Sequence, residues 1–71
     1  MSDIIKVTPR LMAILKERGI TQMQLAAMSG VPQGSISRFD RNDRHVDAHM
    51  FAIARALGVG VEELFIVENN A

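Results

Sequence analysis

Thr21 to Asp40 read TQMQLAAMSGVPQGSISRFD, and the way this stretch is punctuated decides the fold. Thr21 is placed to accept a backbone N–H, with Gln24 three residues on as in a capping box, and Ile20 is spaced to staple against Leu25. A helix is therefore expected to run to about Met28, with Leu25 and Met28 as its apolar set, and small Ala26 and Ala27 let another helix axis come close. Gly30 supplies a sharp turn, Val31 anchors it, and Pro32 starts a further helix through about Phe39. Ile36 and Phe39, three apart, share one face, which leaves Gln33, Ser37 and Arg38 to project outward. Gly34 weakens the first turn by roughly 0.5–1 kcal/mol relative to alanine, so this short helix relies on packing for its position.

Working outward, Leu11, Ile14 and Leu15 recur at helical spacing, with Met12 and Lys16 to the side. Proline suits a first turn and threonine a cap, so a first helix is expected from about Pro9 to Arg18, capped by Thr8 and stopped by Gly19. On the other side, Asp40 to His45 has no apolar period and reads as a loop. Asp47 is then a candidate cap for a fourth helix with a core set of Met50, Phe51, Ile53, Ala54 and Leu57, closed by Gly58. Val59 to Phe65 resembles a short turn-helix unit, with Glu62 and Glu63 near its start where acidic groups favour the helix dipole. The expected fold is all-α: a compact bundle of about five short helices in a single domain spanning residues 1–71, with short tails at 1–7 and 68–71.

Length and composition exclude much else. Seventy-one residues build one modest core, too little for a large enzyme or a doubly wound sheet. With 48% apolar residues, two prolines and five glycines, the chain is composed to fold, and without cysteine it has neither a disulfide nor a thiolate metal site. Apolar runs such as Leu64 to Val67 fall far short of a membrane span, and the amino terminus lacks a long hydrophobic signal segment, so a cytoplasmic location is expected. His45 and His49 lie four apart but lack an HExxH pattern, so no metal is expected. Ser29, Ser35 and Ser37 have no His–acid constellation, so neither catalysis nor a cofactor is expected. Formal charge is zero, yet unevenly spread: residues 1–45 carry seven Lys/Arg against four Asp/Glu, and residues 46–71 carry one against four. One end of the domain could face phosphate while the other faces away.

Two short helices joined by a glycine-containing turn inside a small bundle are the organisation of a helix-turn-helix DNA reader. The ordered Thr-Gln start, Leu-Ala, Gly-Val turn and Ile-Ser of residues 21–40 resemble the helix-turn-helix of the phage repressor and Cro-like family, the lambda-repressor-like DNA-binding domains. IARALGVGVEELF, residues 53–65, is similar to that family's fourth and fifth helices, so the resemblance spans roughly residues 8–67. It implies a sequence-specific regulator of transcription, most simply a repressor, whose third helix enters the major groove of double-stranded DNA. Gln22 would then bond a backbone phosphate, and Gln33 would be the first base reader, able to bond adenine bidentately. Ser37 and Arg38 match later outward positions of the same helix, while Arg41, Asn42 and Arg44 match the loop that holds the sugar-phosphate backbone. With Ser35, these residues make up the candidate DNA-contacting set. The sequence departs from the family pattern at Gly34, which removes a contact, at Pro32 in place of a polar cap, at Asp43 in a loop facing phosphate, and at Asp40, where the family usually has glutamate.

Leu64, Phe65, Ile66 and Val67 concentrate apolar surface at the end of a small domain and are the candidate dimer interface. By the resemblance, a homodimer would present two recognition helices to half-sites of a palindromic operator. The alternative is a protein-interaction module, such as the antitoxin of a toxin–antitoxin pair, using the same segment to hold a protein partner.

Overall fold

The computed structural model describes residues 5–69. Along the chain run β1 (Ile5–Pro9), α1 (Leu11–Arg18), α2 (Gln22–Ser29), α3 (Gln33–Ser37), a 3₁₀ turn (Phe39–Arg41), α4 (Asp47–Leu57), a second 3₁₀ turn (Val61–Leu64) and β2 (Phe65–Asn69). The capping box forms as the sequence implies: Thr21 Oγ1 accepts from the Gln24 N–H at 3.0 Å, and Gln24 Oε1 accepts from the Thr21 N–H at 2.8 Å.

α1 starts differently. Thr8 and Pro9, expected as its cap and first turn, are extended in β1, where they pair antiparallel with Ile66 and Phe65. Arg10, at the N-cap position, makes no side-chain cap bond. The acceptors come instead from Asp40, 29 and 28 residues further on: Oδ1 accepts from the Leu11 N–H at 2.8 Å and Oδ2 from the Met12 N–H at 2.9 Å. A carboxylate at a helix N-terminus satisfies two orphan donors and meets the positive end of the helix dipole. The short side chain of Asp40 therefore has a structural role, tying the 3₁₀ turn after α3 to the first turn of α1.

Two arginines from the basic half of the sequence also serve the fold. Arg18 Nη1 donates to the Leu57 carbonyl at 2.6 Å, satisfying an acceptor at the end of α4. The Arg10 backbone N–H donates to the Leu64 carbonyl at 2.9 Å and its Nε to the Glu63 carbonyl at 3.1 Å, fastening the β1–α1 junction to the second 3₁₀ turn.

The core consists of Leu11, Ile14, Leu15, Leu25, Val31, Ile36, Phe39, Ile53, Ala54, Leu57 and Leu64, with no polar side chain buried among the described residues. Met50 is partly buried against this cluster. Met28 and Phe51, expected in the core, are 53% and 60% exposed. Phe51 lies on the side of α4 away from Ile53, Ala54 and Leu57, and with Met28 it borders a shallow groove lined by Ala48, Ala52 and Ala56, whose methyl groups are too short to cover it. Asp47 occupies the first turn of α4, but the N-cap is Val46 and no side chain caps it.

The expected fifth helix contracts to the 3₁₀ turn Val61–Leu64, because Phe65 adopts extended backbone (φ −134°, ψ 157°) and enters β2. The described residues thus form a mostly helical bundle of four α-helices with a two-stranded antiparallel sheet, rather than an all-α one. Parts of the expected tails, residues 5–7 and 68–69, lie in this ribbon; residues 1–4 and 70–71 fall outside the described residues.

Removing the Asp40 carboxylate leaves two helix N–H groups without acceptors. Asp40→Ala is expected to lower unfolding stability by about 1–3 kcal/mol. Chemical denaturation at neutral pH checks this, and an unchanged midpoint would show that the carboxylate does not cap α1.

Candidate nucleic-acid interface

Only Gly30, Val31 and Pro32 separate α2 from α3, and each end of this turn is held. Gly30 sits at φ +78°, left-handed backbone that a side chain would strain, and its N–H donates to the Ala26 carbonyl at 2.9 Å. Ser29 Oγ donates to the Leu25 carbonyl at 2.7 Å and accepts from the Val31 N–H at 3.2 Å. Val31 and Ile36 are then buried, so α3 is seated by its inner face and its outer residues are left free. Gln33, Ser37 and Arg38 are exposed, while Gly34 and Ser35 are half-buried. α3 ends at Ser37, with Arg38 as its C-cap, and Phe39 opens the 3₁₀ turn instead of closing the helix as expected.

The chain after α3 is fixed by an aromatic cluster. His45 Nε2 donates to the Phe39 carbonyl at 2.7 Å, and its ring lies 4.1 Å from that of Phe39. Phe65 completes the group, 5.7 Å from Phe39 and 5.8 Å from His45 between ring centroids. These contacts hold both ends of the segment that carries the exposed Arg41, Asn42 and Arg44. Beside α3 a cleft of about 90 Å³ is lined by Ser35, Arg38, Asn42, Arg44, His45 and His49 over a floor that includes Val31, Phe39 and Ile53.

Four of the eight candidate DNA-contacting residues, Ser35, Arg38, Asn42 and Arg44, therefore come together around one cleft, while Gln22, Gln33, Ser37 and Arg41 do not line it. Gln22 is half-buried at the start of α2, and its amide donates to the Met12 sulfur at 3.3 Å, a weak acceptor. That contact uses one of the two amide N–H donors and leaves the second, the kind of group a phosphate oxygen accepts from. His45 and His49 are additions to this surface. Their four-residue spacing is visible in the sequence, but their approach to Arg38 depends on how the loop folds back. Among the described residues, no group of three or more His, Cys, Asp or Glu side chains is placed to hold a metal ion.

The candidate dimer residues separate. Leu64 is fully buried and faces its own core, so it offers no surface to a second chain. Phe65 is half-buried in the aromatic cluster. Ile66 and Val67 are 49% and 42% exposed, and β1 adds Ile5 and Val7 at 45% and 49%. Val7 stands opposite Val67, so these two share a face of the ribbon with Ile5, and Ile66 opposite Thr8 points to the other face.

A capped helix, a tight glycine turn and a second short helix seated by its inner face with polar residues outward make up a module for reading a nucleic-acid groove. The chain belongs to the helix-turn-helix family, whose model matches residues 11–64. It is accordingly a DNA-binding regulator of transcription, a non-catalytic class that works by sequence-specific binding to DNA. No curated protein and no solved structure matches it. Among the described residues, no helix is long and apolar enough to cross a membrane.

Exposed loop arginines that meet phosphate contribute through counterion release. Arg41→Ala and Arg44→Ala are each expected to weaken binding to all duplexes about evenly and to reduce the slope of log K against log salt by about one. A salt titration of affinity measures this, and an unchanged slope would remove the residue concerned from the phosphate-contacting surface.

Proposed function

We propose that the protein is a repressor that binds a palindromic operator as a homodimer, inserting α3 of each subunit into the major groove. The observation that carries this reading is the seating of α3: Val31 in the turn before it and Ile36 on its inner face are 3% and 0% exposed, while Gln33, Ser37 and Arg38 face outward. Gln33, in the first turn, is the adenine reader, with an amide whose NH2 donates to N7 and whose oxygen accepts from the N6 amino group. Gln22, Arg41, Asn42 and Arg44 position the helix on the sugar-phosphate backbone without reading sequence. The binding needs no chemical step, because occupancy of a promoter site is itself the regulatory event.

The β1–β2 ribbon supplies the dimer contact in this reading. Ile5, Val7 and Val67 form an exposed apolar strip on one face, and Ile66 adds to the other. Apolar clusters left uncovered on a domain of this size are characteristic of association surfaces. A two-fold pairing through the ribbon would present two α3 helices to half-sites about 34 Å apart, one turn of duplex.

Selection from a random duplex pool at about 150 mM salt is expected to return a palindromic consensus bound well above random DNA. Gln33→Ala should cost about 1–3 kcal/mol of discrimination at one base pair per half-site, and equal weakening of every sequence would remove its base-reading role. Val67→Asp should convert the dimer to a monomer in sedimentation equilibrium while the far-UV circular dichroism is retained. A wild-type protein that sediments as a monomer and selects no palindrome would instead favour a protein-interaction module such as an antitoxin.

A further inference from the structure

Gly34 stands at the second position of α3, where the sequence implies a lost contact, and its surroundings give that loss a use. A methyl group on Gly34 would lie 3.3 Å from Arg38 Nη1, 3.4 Å from Nη2 and 3.7 Å from Cζ. The Arg38 guanidinium therefore lies across the bare backbone of Gly34. Arg38 is four residues further along, one helical turn, and helical side chains lean toward the N-terminus over the preceding turn. Its charged end is thus carried from the C-cap of α3 back to the first turn, beside Gln33.

We propose that Arg38, seated on Gly34, is a guanine reader of this protein, and that Gly34 is the positioning residue that makes room for it. The proposal rests on the reading of α3 as the major-groove helix. Arginine donates two parallel N–H bonds to O6 and N7 of guanine, and the value of that pairing depends on holding the planar fork in place. An arginine at the end of a helix spends its reach in many directions. Packing against a neighbouring turn that lacks a side chain narrows those directions to one, reducing the freedom lost on binding. In a five-residue helix the arrangement also places two readers in a single turn, Gln33 through its own side chain and Arg38 through the space above Gly34. The glycine that weakens the helix is thereby explained, since its backbone is helical and has no conformational need for glycine.

The test compares duplexes selected by the wild-type chain with those selected by Arg38→Ala, Gly34→Ala, Gly34→Leu and the Gly34→Leu/Arg38→Ala double variant. In the wild type, one position of each half-site is expected to require a G·C pair. Arg38→Ala and Gly34→Leu should each lose that preference by roughly ten- to a hundredfold while the other positions keep theirs. Gly34→Ala, whose methyl asks the guanidinium to give way by a few tenths of an ångström, should lose less at the same position. The double variant should lose no more there than either single variant, the signature of two residues acting as one unit. Leucine and alanine are better helix formers than glycine, so melting temperatures should not fall.

Retention of the G·C preference by Gly34→Leu would overturn the seat. Even weakening of all duplexes by Arg38→Ala would make Arg38 a phosphate contact and overturn its reading role. Failure of the wild type to select any sequence would instead overturn the groove reading on which the proposal stands.

Discussion

The carboxylate of Asp40 carries the architecture, because it joins two segments that the chain separates by 29 residues. It accepts the first two N–H groups of α1, so the start of that helix is tied to the turn after α3. The dependence runs both ways. α3 has only five residues, too few to be stable as an isolated helix, and its position comes from what lies on either side of it. Before it, the Ser29–Val31 turn is pinned by a hydroxyl and a left-handed glycine; after it, Asp40 locks the 3₁₀ turn against α1. The second helix of the helix-turn-helix is thus held at both ends by polar contacts and underneath by Ile36, with Gln33, Ser37 and Arg38 exposed.

Phe39 extends the same arrangement toward the ribbon. It is buried beneath His45, accepts the His45 ring N–H at its carbonyl, and touches Phe65 where β2 begins. The loop that bears Asn42 and Arg44 and the strand that bears Ile66 and Val67 therefore meet on one aromatic cluster. Charge is divided along similar lines. Arg10 and Arg18 bond backbone carbonyls and serve packing, while Arg38, Arg41 and Arg44 are exposed at and after the end of α3 and Arg55 is exposed on α4, so a chain of zero net charge still gathers three exposed guanidinium groups beside α3.

Much of this was legible in the sequence wherever the signal was local. The Thr21–Gln24 box, the Gly30 turn, the apolar set of α1 and the end of α4 at Gly58 all depend on residues a few positions apart, and all form as read. What was not legible depends on distant partners. Pro9 and Thr8 look like the start of a helix until β2 claims them as a strand, and Val59 to Phe65 looks helical until the same pairing draws Phe65 into β2 and leaves Val61–Leu64 as a 3₁₀ turn. Asp40 reads as a loop acid, since its partners at Leu11 and Met12 cannot be inferred from spacing. Phe51 shows the limit of hydrophobicity alone: it belongs to an apolar run, but the helical period turns it away from the core. At the interface, residue types could be named in advance, whereas the gathering of Ser35, Arg38, Asn42 and Arg44 around one cleft with two histidines required the folded loop.

The most direct measurement is amide hydrogen exchange at the start of α1. The first donors of a helix ordinarily exchange freely because no carbonyl precedes them in the helical ladder. With Asp40 in place, the Leu11 and Met12 amides are expected to be protected to the level of the buried Leu25 and Ile36 amides. Ala13, to which Asp40 does not donate an acceptor, is expected to exchange sooner. Rapid exchange of Leu11 and Met12 in a protein whose core amides remain protected would contradict the Asp40 tie, and with it the way α3 is held.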